Sequence, residues 1–431
     1  MIQKTIAILV LVTYFILMFM GKSNRNTLYV GFILIAFPFM GIDLIPSIFS
    51  FRIFDFITLT FLFLFYKKRK KLTENRNSKP ILAVSFFTIV AVFVLNALNQ
   101  RDLNTTFYVS ALQLVSVTMF AKIVFDEFVY DDSLVSKILP WFRIMLVFSL
   151  MFLMMQFLFG TAFTFSKSPN INIDGGVVIR FPAYFQDPQK YAQFLAAMSF
   201  PVLLASHKEN KISFQGVCLF AVALFALLYT GGRAALLGWL VGVISLLIFM
   251  SKRFRFILLA FLLILVYIGY EFQDNIPVLK RASIGDSYAF RNEIWMDAYK
   301  IFLKYPFTGI GFGEYSTYVA IHNPDQFWIA DNDVTYFDHP ESGYLKLLVE
   351  FGLFGFIPLA IFMVYPIVNG LKDYFKNFNT LSLLFSISLV TWIIGFSTVY
   401  SLGDIRIAIM VITISAFLLA LSSPSNIQTH D

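Results

Sequence analysis

The sequence predicts an all-α polytopic integral membrane protein of about 12–14 transmembrane helices with one large external loop. Three observations predict it. Of the 431 residues, 58% are hydrophobic and 14% charged, with a mean hydropathy of +0.75, a usage far from that of soluble domains. The apolar residues form uninterrupted runs near the roughly 20-residue length of a membrane-spanning helix, whereas a closed barrel shows alternating segments of about ten residues. The densest basic cluster, KKRKK at 67–71 with Arg76 and Lys79, falls between two such runs, where the positive-inside rule expects a cytoplasmic loop. The net charge of +7 is therefore topological and is no sign of a nucleic-acid partner.

Candidate spans cover 4–20, 28–46, 51–66, 80–98, 105–125, 141–159, 188–206, 212–230, 234–250, 256–271, 341–369, 380–400 and 405–422. The first lacks a charged n-region and a small-residue cleavage site and reads as a retained span, not a signal peptide. The region 28–66, broken by Gly41, Asp43, Pro46 and Arg52, admits more than one threading. Alternating sides from the cluster at 67–79 puts DEFVYDDSLVSK (126–137), HKENK (207–211), SKRFR (251–255) and KDYFK (372–376) in the cytoplasm, and three of these four are net basic. The same alternation puts 160–187 and 272–340 outside and the C-terminus inside. The interval 272–341 carries ten Asp/Glu against five Lys/Arg, the opposite bias, and structureless loops of such length are uncommon without a function. The 53 Phe residues are lipid-facing and packing bulk, and Cys218, the only cysteine, reads as a small core residue with no disulfide partner.

Polar chemistry gathers at the predicted external ends. Asp338-His339-Pro340-Glu341 precedes the apolar run at 341–369, and proline favours the first helical position, so His339 is expected at or beside an N-cap among free amides. An imidazole there can serve as a proton acceptor, or merely as a polar cap. Glu341 and Ser342 also read as ordinary first-turn residues that offset the helix dipole. Arg291 opens RNEIWMDAYKIFLKYP, whose Ile294, Trp295, Ala298, Tyr299 and Phe302 share one face before Pro306 stops the helix. This pattern predicts an amphipathic helix on the outer leaflet, with Arg291 holding either an anion or a lipid headgroup. Arg233, in YTGGRAALLGWL, separates two apolar runs beside two glycines, at the outer end of a span. Arg180 lies in DGGVVIRFPAYFQDPQKYAQF, where Asp187-Pro188 introduces the next helix. Three external arginines and one histidine suit a reaction on a diphosphate, which needs cationic donors for phosphate oxygens and one base.

Other constellations are weaker. Asp331-Asn332-Asp333 has a DxD form, but a solvated loop explains it, and HExxH, P-loop and dinucleotide fingerprints are all lacking. Asp43, Asp55, Lys122, Arg143, Asp404 and Arg406 lie near span ends, where snorkelling and helix pairing account for them. Glu350, deeper in its span, suits a bundle cavity.

TGGRAALLGWLVG, then RNEIW with PFTGIGFGEYS, then HPESGYLKLLVEFGLFG together resemble the O-antigen ligase/polymerase superfamily of bacterial polysaccharide enzymes. RFPAYFQDPQKYAQF is similar to that family's arginine-led external motif, with Gln189 in place of the usual Asn; HPESGYL is a variant of its His-Asn-Ser-x-Leu pattern. The resemblance covers about 180–357 and implies a GT-C-like membrane glycosyltransferase, inverting and without metal or cofactor, with N-terminal transmembrane helices at 1–159 and a catalytic membrane region at 160–431 that includes the external loop 272–340. It implies His339, Arg233 and Arg291 as catalytic residues, with Arg180, Glu341, Ser342 and Tyr344 at the substrate. Its implied donor is an undecaprenyl-diphosphate-linked oligosaccharide, taken from the bilayer at the external face of the bacterial plasma membrane, with a flippase and a chain-length regulator as companions. Loop 272–340 would be a lid. A ligase and a lipid-linked oligosaccharide flippase are the competing readings, and a non-catalytic scaffold is a third.

Overall fold

The computed structural model describes residues 2–21, 24–44, 51–66, 105–160, 163, 173–174, 178–185, 187–205, 211–273, 276–282, 287–323, 327–330, 333–336 and 339–421. The expected span 80–98, the basic cluster 67–79, most of HKENK and Asp331, Asn332 and Asp338 lie outside the described residues. The first half contains α1 (Ile2–Met20), α2 (Arg25–Ile35), α3 (Ile53–Thr60, continued by a π turn to Phe65), α4 (Thr105–Tyr130) and α5 (Asp132–Phe159). A two-stranded hairpin, β1 (Ile173–Asp174) and β2 (Val178–Ile179), precedes α6 (Pro188–Met198), α7 (Phe214–Thr230), α8 (Arg233–Phe249) and α9 (Lys252–Glu271). The predicted external region holds α10 (Pro277–Ala282), α11 (Ser287–Lys304), α12 (Tyr315–His322) and the hairpin of β3 (Phe327–Ala330) with β4 (Asp333–Tyr336). The chain ends its described part with α13 (Gly343–Asn377), α14 (Thr380–Phe396) and α15 (Ile405–Leu421).

Five of these helices, α1, α4, α5, α9 and α13, are long and apolar enough to cross a membrane, and six shorter apolar helices accompany them. This is an all-α polytopic design, with sheet confined among the described residues to the two hairpins. The core is built on α14, which is buried on nearly every side and packs against α8, α13 and α6. Apolar side chains cannot drive association between helices in lipid, so close backbone approach does it instead. At Gly238 of α8 a Cβ would stand 2.5 Å from the Thr391 carbonyl, and the Thr391 hydroxyl donates to the Gly238 carbonyl at 3.2 Å. Ser388 of the same helix donates to the Ala197 carbonyl of α6 at 2.7 Å.

Several expected boundaries move. DEFVYDDSLVSK is not a loop: α4 runs on to Tyr130 and α5 starts at Asp132. Asp126 and Glu127 are buried, Glu127 accepting from Asn26 Nδ2 at 2.9 Å and from the Thr27 hydroxyl at 3.0 Å. SKRFR and KDYFK are likewise helical ends, of α9 and α13. The expected span 188–206 is an 11-residue buried helix, α6, closed by a 3-10 turn at Pro201–Leu203. At about 1.5 Å per residue it reaches roughly half the bilayer thickness. Cys218 is exposed on α7, not a core residue.

The expected span 341–369 extends to Asn377 but breaks at Gly352, where φ is 60° and ψ is −171°. The break exposes backbone groups, and PFTGIGFG fills it: Ile310 and Gly311 donate to the carbonyls of Val349 and Glu350 at 2.8 and 3.0 Å, while Leu353 and Phe354 donate to those of Pro306 and Phe307 at 2.8 and 3.2 Å. Segments this close leave no room for Cβ atoms; one on Gly309 would lie 2.4 Å from the Glu350 oxygen and one on Gly352 2.3 Å from the Phe307 oxygen. Residues 306–311, in the middle of the supposed lid 272–340, are thus stitched into α13.

Candidate active site

Arg233 enters the site because the chain turns sharply ahead of it. Thr230 closes α7, Gly231 takes the left-handed conformation at φ 69°, and Gly232 is the N-cap of α8, leaving Arg233 as its first helical residue. The positive end of the α8 dipole and the guanidinium therefore act on the same space. That space is a cavity of about 210 Å³ lined by Gln189 and Gln193 of α6, Arg233, Arg291 and Trp295 of α11, and Ser397 and Thr398 beyond α14. Two arginines distant in sequence thus face one cavity from different elements. Asp187 caps α6 by accepting from the Gln189 amide at 2.8 Å, as the Asp-Pro pair predicts.

Arg291 sits one turn into α11, not at its start. Ile294, Ala298 and Ile301 form the buried face of α11, which packs against α13, whereas Tyr299 is 47% exposed. Ala298 and Ile301 share a small apolar core with Ile310, Tyr315, Val319 and Val349. Much of the face expected on the lipid surface is therefore occupied by protein, because the ladder at Gly352 brings α12 and α13 beneath it.

His339 is buried, 8% exposed, but it is not at the N-cap. Ser342 is, its hydroxyl accepting from the Leu345 amide at 3.4 Å, so the helix begins at Gly343, later than Pro340 implied. The reason is Glu341, which adopts φ 48° and inserts a turn between proline and helix. This turn aims the Glu341 carboxylate at two partners: Oε2 accepts from Arg291 Nη2 at 3.2 Å, and Oε1 lies 3.9 Å from His339 Nε2. The Glu341 carbonyl accepts from Trp295 Nε1 at 3.3 Å. Histidine, glutamate and arginine form one chain of groups leading to the cavity.

Arg180 and Tyr344 each bond a backbone carbonyl of a neighbouring element. Arg180 is 1% exposed, donates from Nε to the Thr230 carbonyl at 2.9 Å and lies against Gly231, so it braces the turn from below. It does not line the cavity. Tyr344 donates to the Ile393 carbonyl at 2.8 Å, tying α13 to α14. Glu350 is 1% exposed and accepts from the Tyr315 amide at 3.4 Å, with Lys346 Nζ 3.6 Å away, so it caps α12. Asp404 and Arg406, expected near a span end, form a buried bidentate pair at 2.8 and 2.6 Å. Arg406 also donates to the Tyr184 carbonyl and lies 4.7 Å over the Phe185 ring. Burial pushes the Asp404 carboxyl up, but the Arg406 charge and its hydrogen bonds outweigh this and hold it below the usual carboxylate range. Only the buried, paired environment reveals this group. Among the described residues no cluster of His, Cys, Asp and Glu has the form of a metal site.

A second cavity, of about 200 Å³, lies between α4, α13, α14 and α15; its lining is mostly apolar, with Val117, Phe351, Met363 and Trp392, though Arg52 and Gln113 also reach it. It suits hydrocarbon, whereas the arginine cavity suits an anion.

Fold and site define a multi-pass membrane protein with a cationic pocket joined to a buried histidine. Residues 218–360 match the family model described as O-antigen ligase, and the match supports the O-antigen ligase/polymerase-like superfamily and an enzyme. The matched region includes Arg233, Arg291, His339, Glu341, Ser342 and Tyr344 and excludes Arg180. No curated protein matches the chain.

Proposed function

We propose that the protein is a polysaccharide polymerase that transfers an undecaprenyl-diphosphate-linked glycan onto a lipid-linked repeat unit at the external face of the plasma membrane, in O-antigen, capsule or exopolysaccharide synthesis. The observation that carries this reading is that Arg233 and Arg291 face one cavity while Glu341 links Arg291 to His339. His339 takes the proton of an acceptor sugar hydroxyl as its oxygen bonds to the anomeric carbon. The carbon–oxygen bond to the diphosphate breaks, its electron pair leaves with the lipid diphosphate, and one displacement inverts the centre. Fixed cations then stabilise the charge gathering on the leaving group, commonly the largest catalytic term, and no metal or cofactor is called on. The apolar cavity supports a donor with an isoprenoid tail.

A ligase moving finished glycan to lipid A core or a protein would use the same donor and groups, and the family description favours it equally. Protein reconstituted with the lipid-linked repeat as sole substrate decides: products longer than one repeat support the polymerase, and no growth until a second acceptor is added supports the ligase. A flippase would use helix breaks as ligand sites. Here the break at Gly352 is filled by the protein's own backbone, and the arginines lie elsewhere.

A further inference from the structure

Among the described residues Glu341 is the acid between the two halves of the site, and its geometry does not suit a donor-binding residue. A carboxylate against Arg291 opposes an incoming diphosphate and cancels part of the charge that would attract it. Its backbone, however, is held in a turn: φ is 48°, and Trp295 Nε1 donates to the carbonyl at 3.3 Å. The carboxylate then has two neighbours, Arg291 within hydrogen-bond reach at 3.2 Å and His339 just beyond it at 3.9 Å. Closing the second gap takes a shift of only about 1 Å.

We infer that Glu341 is a positioning residue that changes partner when the donor arrives. Before binding, it neutralises Arg291; when a diphosphate takes Arg291, the carboxylate turns to His339 and orients its ring. It then stabilises the imidazolium formed as the acceptor hydroxyl proton moves to His339, as a carboxylate behind a catalytic histidine does. Base activation is thereby tied to donor binding, which limits idle proton transfer before a sugar is in place. The inference rests on the transferase reading and adds a sign: Glu341 opposes donor binding and promotes turnover.

The test is a split between affinity and rate in full-length protein held in nanodiscs. Glu341→Gln should bind undecaprenyl diphosphate about fivefold more tightly, the scale of losing a partly exposed ion pair. Inorganic pyrophosphate should show the same direction, which places the effect at the diphosphate and not at the tail. In membrane vesicles charged with the native lipid-linked repeat, the same variant should turn over at least about tenfold more slowly at saturating donor. Glu341→Ala should give the same opposed pair of changes. Unchanged or weaker diphosphate binding in these variants, or unimpaired transfer, overturns the inference, as does poor folding of both, which would assign Glu341 a purely structural role. If Arg233→Ala, Arg291→Ala and His339→Ala all leave transfer intact, the transferase reading itself fails; if they abolish it without the Glu341 split, only this inference does.

Discussion

Gly352→Ala should damage the site from a distance, through the ladder that joins residues 306–313 to α13. The backbone at φ 60° and ψ −171° belongs almost solely to glycine, and an added Cβ would stand 2.3 Å from the Phe307 oxygen and 2.6 Å from the Gly309 amide. Strain of that kind costs about 1–3 kcal/mol, and each of the four ladder hydrogen bonds contributes about 1 kcal/mol, so strain and full rupture together would cost roughly 5–7 kcal/mol. The ladder also keeps the end of α11 against α13, and α11 carries Arg291 to Glu341. Thermal melting in detergent should therefore show a large loss of stability, and transfer assayed in vesicles should fall with it even though no site residue has changed. Gly269→Ala in α9 is the control, because the nearest atom to its Cβ would be a Leu279 methyl at 3.6 Å. A Gly352→Ala protein as stable and active as the control would refute the claim that the ladder positions the site.

Further outcomes follow from the same geometry. Arg180→Ala should lower the melting temperature, through lost packing and the lost bond to Thr230, more than it weakens undecaprenyl diphosphate binding measured on the folded fraction. Arg291→Lys should recover only part of the activity lost in Arg291→Ala, since an ammonium lacks the planar fork for phosphate oxygens; initial transfer rates compare the two. Asp404→Asn leaves Arg406 buried without its counter-charge, at a cost of about 3–5 kcal/mol at neutral pH. Because the Asp404 carboxyl is held below its ordinary range, its contribution is present above the unfolded pKa of about 4 and is lost as pH falls through the folded value, so the gap between wild type and variant should narrow in melts run below about pH 4.

What the sequence made legible was the lipid-soluble character of the chain and those charges that interrupt apolar runs. Arg233 stood out for that reason and Arg291 because it opens an amphipathic helix, and their meeting at one cavity was implied by chemistry, not by spacing. Charges that the fold buries in pairs were misread. DEFVYDDSLVSK looked like a cytoplasmic loop because Asn26 and Thr27, the partners of its Glu127, are about a hundred positions away. Asp404 and Arg406 pair with each other only two positions apart, but what buries them, the Tyr184 carbonyl and the Phe185 ring, comes from more than two hundred positions away. His339 was located, but its setting was not: Pro340 suggested a helix start, and only the left-handed turn at Glu341 moves the cap to Ser342. The glycines of PFTGIGFG are plain in the sequence, yet their purpose, contact with a helix break some forty residues on, depends on tertiary approach.

The central claim is that His339 accepts the acceptor's proton while Arg233 and Arg291 carry the leaving diphosphate. The most direct test is His339→Ala in proteoliposomes charged with the lipid-linked repeat, with binding of undecaprenyl diphosphate measured on the same preparation. The account predicts a folded protein that still binds the diphosphate but transfers glycan at least about a hundredfold more slowly; transfer at the wild-type rate would contradict it.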